Sequence, residues 1–309
     1  MFAVTNTPPK ACLVLHGKAA MREDVRGAVR AARDEGYGVD VRVTWEGGDA
    51  SRFAREAAHA GYGVVVAGGG DGTVNEVVAG MIEGIGEAIL SPSLAVLPLG
   101  TANDLARACG IPIDPFAAMR LAVSGPTASV DVGQANGRPF VNVATGGFGT
   151  QVTVATPPEL KRILGGAAYL LTGLTHFGSI RPERGRLSGP GFAWEGTFLA
   201  LAVGNGRQAG GGHRLCPQAM LNDRLLDVRL LPQLPKDEIP EALRVLLRDG
   251  LDGVRATLVG ARVPWLEVET EEGLQINLDG EPVTGTRFRF EILPRQLPMQ
   301  LPAGCPLLA

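Results

Sequence analysis

The chain has 309 residues, 45% of them hydrophobic and 20% charged, with 29 lysines and arginines against 32 acids, for a formal net charge of -3. That length and apolar content support a large core and two domains more readily than one. The near balance of charge, with a pI near 5.9, excludes the electrostatic footprint of a dedicated nucleic-acid binder, so no nucleic-acid partner is expected.

The opening residues, MFAVTNTPPKACLVLHGK, lack a basic region followed by an apolar one, so a cytoplasmic location is expected. ACLVLH (11–16) and VDVRV (39–43) read as strands. Between them Val25, Ala28, Val29 and Ala32 recur at helical spacing, and Gly36 is placed to stop that helix. Asp49 is the expected cap of a second helix carrying Phe53, Ala54, Ala57 and Ala58, ended by Gly61. GVVVA then forms a third strand, and Val74, Val77, Val78, Met81 and Ile82 line one face of the helix after it. A fourth strand, LAVLP (94–98), leads through LGTAND to a short helix over residues 105–109. Strands alternating with helices predict a parallel α/β domain over about residues 1–128.

Beyond that point the pattern changes. VDVGQANGRPFVNVA reads as two strands around Asn136-Gly137, a dipeptide suited to a type I′ turn. FLALAVGN, LLDVRLLP, WLEVETEE, LQINLDG and FRFEILP are further strands. They predict a second, mainly antiparallel β-sandwich domain over 129–309, with about the last 15 residues packing back on the first. Two helices interrupt it. One begins at Thr156-Pro157-Pro158-Glu159, a capping-box spacing with proline at the first helical position, and the other spans residues 236–247. Cys12, Cys109, Cys216 and Cys305 are scattered, which excludes both a disulfide framework and a zinc knuckle.

In VVVAGGGDGTVNEVVAGM (64–81), Gly68, Gly69, Gly70 and Gly72 leave the backbone bare at the carboxyl end of a strand, where a helix begins and phosphate oxygens find N–H donors. The glycines are also expected to turn the chain sharply. A P-loop is excluded because no lysine follows Gly72, and the dinucleotide fingerprint fails at Thr73. Asp71 would repel phosphates unless a divalent cation lay between, which points to Mg²⁺ carried with a nucleoside triphosphate. The plainer alternative is that Asp71 caps a helix starting near Thr73. PLGTANDLA repeats the arrangement one strand later, where Gly100 and Thr101 offer backbone and hydroxyl and Asn103 or Asp104 could cap the next helix. Thr44, at the end of the second strand, is expected beside the same phosphates or is an ordinary strand-end threonine.

GGGDGTVNEVV with PLGTANDLA resembles the diacylglycerol kinase catalytic family, which includes sphingosine and ceramide kinases, and most closely its bacterial YegS-like lipid kinases. The resemblance extends through RVTWEGGDA, NVATGGFGT, GNGRQAGGG, LDGEP and CPLL. It implies a kinase that transfers phosphate from ATP to a lipid hydroxyl, such as that of phosphatidylglycerol or diacylglycerol. It implies that Thr44, Gly70, Asp71, Gly72, Thr73, Val74, Asn75, Glu76 and Thr101 bind ATP, and that Glu281 is the general base. A carboxylate suits that role, because it can accept the hydroxyl proton while positioning and Mg²⁺ do most of the electrostatic work. The resemblance also implies a hard-cation site, for Mg²⁺ or Ca²⁺, in which Asp223 supplies a side-chain oxygen and Met220 and Leu225 supply backbone carbonyls. Arg224 stands where the family pattern has glycine; if that position needs a positive φ, arginine costs on the order of 1 kcal/mol.

A lipid kinase must reach its substrate at a membrane surface. Residues 163–180 are too rich in glycine and hydroxyls for a span, so any contact is peripheral, with Lys161, Arg162, Arg181, Arg184 and Arg186 as the expected cations. The helix near Pro157 equally suits packing on the sandwich. His176 and His213 belong to no recognisable catalytic triad and are expected to be structural or rim residues. Two rivals remain: a kinase of NAD, which also uses a GGDG loop, and a nucleotide-dependent lipid sensor without catalysis.

Overall fold

The computed structural model describes residues 10–85, 92–147, 182–235, 237–238, 241, 245, 258–279, 281–293 and 297–309. It resolves into two compact units, Met1–Val130 with Gln296–Leu308, and Asp131–Arg295 with Ala309.

The first unit runs β1 (Ala11–Leu15), α1 (Glu23–Asp34), β2 (Val39–Val43), α2 (Asp49–His59), β3 (Val64–Gly69), α3 (Asp71–Ile85), β4 (Ser93–Pro98), α4 (Asp104–Ala108), α5 (Pro115–Ser124) and β5 (Thr127–Val130). Its six-stranded sheet has the order β2, β1, β3, β4, the C-terminal strand Leu297–Gln300, β5. β1 to β4 are parallel; the C-terminal strand runs parallel to β4 and antiparallel to β5. β1, β3 and β4 are buried along their whole length, as continuous apolar runs in a sheet covered on both faces should be. α1 buries Val25, Ala28, Val29 and Ala32, the set its spacing predicts. α5 escaped the sequence reading although its signal was present: Asp114 accepts a hydrogen bond from the Ala117 N–H at 2.9 Å, and Pro115 occupies the first helical turn.

The second unit contains β6 (Gly133–Ala135), β7 (Arg138–Phe140), β8 (Val143–Gly147), β9 (Glu183–Gly189), β10 (Phe192–Gly204), β11 (Gln208–Ala209), β12 (His213–Arg214), β13 (Leu226–Pro232), β14 (Val259–Val263), β15 (Trp265–Leu278) and β16 (Glu281–Ile292). The main path is β14, β13, β10, β8, β15, β16, β6, β7, all antiparallel, and β9 pairs with both β10 and β15. β15 pairs with β16 on one side, and on the other its first part pairs with β9 and its last part with β8; β10 likewise pairs with β9, β8 and β13. This folds the sheet over a core in which Phe140, Phe198, Phe288 and Phe290 are fully buried. The Phe140 and Phe290 rings meet edge to face with centroids 6.3 Å apart.

Several local expectations change. WLEVETEE and LQINLDG are one strand, β15, whose pairing with β16 shifts register between Glu269 and Leu274; Gly273, at φ 97°, lies in that irregularity. Asn136 and Gly137 do adopt positive φ, 49° and 81°, between β6 and β7. The helix expected from Thr156 lies outside the described residues, as do Lys161, Arg162, His176 and Arg181. Of the helix over 236–247, Glu241 and Val245 are described as helical. Arg184 and Arg186 are β9 residues paired with Glu271 and Glu195, so their charges are largely answered within the sheet.

Candidate functional site

The glycine corner is built by close backbone approach rather than by a sharp turn. Gly68 and Gly69 finish β3, and α3 begins at Asp71, two residues earlier than expected; none of Gly68, Gly69, Gly70 and Gly72 has a positive φ. What requires glycine is space. A Cβ on Gly70 would lie 3.2 Å from the Gly100 Cα, and one on Gly100 would lie 2.5 Å from the Gly70 Cα. The two bare loops therefore rest directly on each other, at the carboxyl ends of neighbouring strands β3 and β4. Gly72 is exposed with open space where a side chain would stand. The first turn of α3 leaves N–H groups without helical partners at this corner.

Asp71 does not cap its own helix. Its Oδ1 accepts from the Leu105 N–H of α4 at 3.2 Å, joining the second loop to the first. Burial, and next the negative charge of Asp104, raise its carboxyl pKa above the ordinary value. Asn103 sits at the N-cap of α4 with φ 51°, but its side chain instead pairs with Gly100, accepting from its N–H at 2.9 Å and donating to its carbonyl at 2.8 Å. Neither Asn103 nor Asp104 provides the expected side-chain cap. This reciprocal pair, and Asp104 buried beside Asp71, are parts of the site that the sequence reading used only as helix caps.

The remaining nucleotide candidates fall in the same unit. Thr73 and Val74 are buried, and Thr101 is exposed on the second loop. Asn75 is buried, and its Oδ1 has no hydrogen-bond partner among the described residues. Glu76 Oε2 accepts from the Gly48 N–H at 3.2 Å, tying α3 to the turn before α2. Thr44 Oγ1 accepts from the Gly17 N–H at 3.2 Å, so the threonine joins the ends of β2 and β1. Asp49, expected as a helix cap, is the first residue of α2, and Gly48 at φ 84° holds the N-cap place. The Asp49 carboxylate accepts from the Trp45 and Glu46 N–H groups and pairs with Arg52; these contacts hold its pKa at about 2.

Mg²⁺ carried on a triphosphate fits this corner. Half-buried Asp71 feels the negative charge of buried Asp104, which a cation would offset, and the bare loops leave room for phosphate oxygens. Among the described residues no group of three or more His, Cys, Asp or Glu could hold a metal ion alone. A cation that brings phosphate ligands with it does not need one.

The second unit holds Glu281 as the first residue of β16, exposed, across a two-residue connection from its pairing partner Leu278. The turn is anchored by Asp279, whose carboxylate accepts from the N–H groups of Val141, at 2.7 Å, Asn142 and Val143. Asp279 adopts φ 47°. Sequence reasoning assigned it no role, although a carboxylate beside glycine at a turn is a familiar anchor. Nearby, fully buried Asn205 of the GNG motif donates to the Asp131 and Val141 carbonyls at 3.0 and 2.8 Å.

At the expected cation site of Met220, Asp223 and Leu225, the carboxylate has protein partners in this structure. Asp223 Oδ2 is paired with the Arg262 guanidinium and its Oδ1 accepts from the Leu225 N–H at 2.9 Å. Arg224 does adopt the positive φ, 60°, where glycine would be unstrained, and its N–H donates to Asp131 Oδ2 at 2.6 Å. The loop's one carboxylate already has its counter-charge.

Residues 10–135 match the diacylglycerol kinase catalytic domain, and residues 142–300 match the YegS C-terminal NAD kinase beta sandwich-like domain. A Pseudomonas aeruginosa PAO1 protein named "Probable lipid kinase YegS-like" is 56% identical over 97% of this chain and 96% of its own length. A Pseudomonas putida KT2440 protein of the same name is 54% identical over 97% and 98%. A solved structure described as a diacylglycerol kinase from Bacillus anthracis Sterne shares the fold with a TM-score of 0.72, at 21% identity and with 96% and 98% of the two chains covered. With both domain models matched and full-length relatives above half identity, the chain belongs to the YegS-like lipid kinase family.

Proposed function

We propose that the chain transfers the γ-phosphoryl group of ATP, bound with Mg²⁺, to a hydroxyl of a membrane lipid such as phosphatidylglycerol or diacylglycerol, at the cytoplasmic face of a membrane. The observation that carries this reading is the direct contact of two side-chain-free loops, Gly70 on Gly100, beside the half-buried carboxylate of Asp71 at the N-terminus of α3. Backbone N–H groups of Gly70, Gly72 and Thr73 hold phosphate oxygens, Thr44 and Thr101 contribute hydroxyls, and Val74, Asn75 and Glu76 support the loop from α3. Asp71 orients the cation. Mg²⁺, when bound, offsets charge on the phosphates.

Glu281 accepts the proton of the lipid hydroxyl. The hydroxyl oxygen forms a bond to the γ-phosphorus, the bond from that phosphorus to the bridging oxygen breaks, and ADP leaves with the electron pair. Asp279 positions the turn that carries Glu281 and touches no reactant. The test is labelled ATP with a mixed-micelle panel of diacylglycerol, phosphatidylglycerol and sphingoid bases, with NAD as a parallel acceptor. Label should enter at least one lipid and be lost in Glu281→Gln. Label on NAD alone would make the chain an NAD kinase, and no label on any acceptor would favour a sensor without catalysis.

A further inference from the structure

An apolar and basic patch on the first unit has no part in the chemistry above. Among the described residues β2 is an edge strand, paired with β1 alone. Its Val41 and Val43 are 37% and 45% exposed and, with Val25 and Val29 of α1, floor a groove of ≈ 430 Å³. The rim carries Arg26, Arg30 and Arg33 against a single acid, Glu23. Two large exposed side chains belong to the same elements: Trp45, 95% exposed, lies two residues beyond Val43 just past the end of β2, and Met21, 76% exposed ahead of α1, accepts through its Sδ from the Arg26 guanidinium of the rim at 3.4 Å. Monomeric soluble surfaces seldom leave such groups together in water, and an apolar strip rimmed by guanidinium groups suits a partner that is apolar below and anionic at its surface.

We infer that this patch docks the protein on an anionic lipid bilayer, with Trp45 and Met21 entering the headgroup layer and the arginines facing lipid phosphates. The choice of a bilayer rests on the lipid-kinase reading, while the patch itself rests on geometry alone. Tryptophan has the apolar body and polar N–H that suit this interface. Arg26 is held by the Ala20 carbonyl and Glu23 and Arg33 by the Val39 carbonyl, whereas among the described residues Arg30 reaches only Glu23, at 3.7 Å, and is the most available cation of the rim. Trp45 stands at the carboxyl end of β2, the end of the parallel sheet at which the phosphate loops follow β3 and β4. Docking there brings that end of the sheet to the interface.

The experiment is sedimentation of the full chain with vesicles of phosphatidylcholine alone or containing phosphatidylglycerol, across a salt series, for wild type, Trp45→Ala and Arg30→Gln. Because Trp45 and Arg30 are largely exposed, both variants should keep the wild-type thermal midpoint. The expected result is binding that needs phosphatidylglycerol and weakens with salt. It should fall roughly tenfold in Trp45→Ala and by a smaller factor, about threefold, in Arg30→Gln. Equal binding by all three proteins, or by both vesicle types, overturns the proposal. So does a Trp45→Ala defect confined to the KM for ATP, which would make Trp45 a base-stacking residue. A short-chain lipid dispersed as monomers separates the two readings. Phosphorylation of it without vesicle binding sinks the docking surface and leaves the kinase; Trp45-dependent vesicle binding without any phosphorylation does the reverse.

Discussion

The two units place their chemistry on different materials. In the first, the site is mainly backbone: Gly70 and Gly100 are bare because they press on each other, and the side chains around them, Asn103 with Gly100 and Asp71 with Leu105, hold main-chain positions. In the second, a single exposed carboxylate, Glu281, is held by a turn whose anchor, Asp279, reaches backbone 136 to 138 residues away in sequence. A backbone site should tolerate side-chain changes at its rim but not added atoms between its loops, and a side-chain site should behave the other way round.

The largest expected effect is therefore at Glu281. Glu281→Gln should lower lipid phosphorylation by roughly 10²- to 10⁴-fold, the range for loss of a general base, with an unchanged thermal midpoint because the residue is exposed. Activity near wild type would end the general-base assignment. Asp71→Asn should cost about 10²-fold in activity without lowering stability, because it removes a half-buried charge that is repelled by Asp104. A loss of folding in that variant would mean that Asp71 is a structural joint and no cation ligand.

Acidity sharpens the same contrast. The carboxyl pKa of Asp71 is raised, so the ionised form is disfavoured in the folded state, and that penalty is relieved as pH falls through the raised value. On the proposed reading, Mg²⁺ and ATP would need the ionised form. Their affinity, followed by calorimetry, should begin to weaken at a pH above the ordinary aspartate value of 3.8, and Asp71→Asn should remove that dependence.

Stability effects come next. Asp279→Ala leaves three backbone N–H groups without their acceptor and should cost about 1–3 kcal/mol in denaturant unfolding. Gly100→Ala should cost a similar amount, about 1–3 kcal/mol, together with a raised KM for ATP, because the methyl group must part the two loops. The smallest effect is an expected absence of response: Ca²⁺, Mg²⁺ or EDTA should leave the unfolding of the second unit unchanged, since Arg262 already faces Asp223. A metal-dependent rise in the wild-type midpoint would restore the cation site. Gain of such a rise in Arg262→Ala alone would show that the guanidinium stands in for the cation.

Much of the first unit could be read because its elements are local. Val25, Ala28, Val29 and Ala32 spell a helix face within eight residues, and the β-branched run before Gly68 can only be a buried strand. The glycine loops were found, but their reason was not: sequence shows a glycine and not the backbone packed against it, so Gly70 on Gly100 passed for a turn. Distant pairings were illegible for the same reason. Nothing near Asp223 announces Arg262, 39 residues later, and nothing near Asp279 announces the N–H groups of Val141 to Val143. Asp114-Pro115 could have revealed α5, because that cap is entirely local.

The C-terminal strand Leu297–Gln300 lies between β4 and β5 in the first sheet and is the link through which β5 joins it. During synthesis, the sheet that carries both glycine loops therefore stands with an unfilled slot and an unpaired β4 edge until Leu297–Gln300 has been made. The second unit is fully emerged before the first can close. A gene cut after Val130 should consequently yield an aggregation-prone fragment with an open edge, whereas moving residues 297–309 by a linker to follow β5 should let the first unit fold by itself.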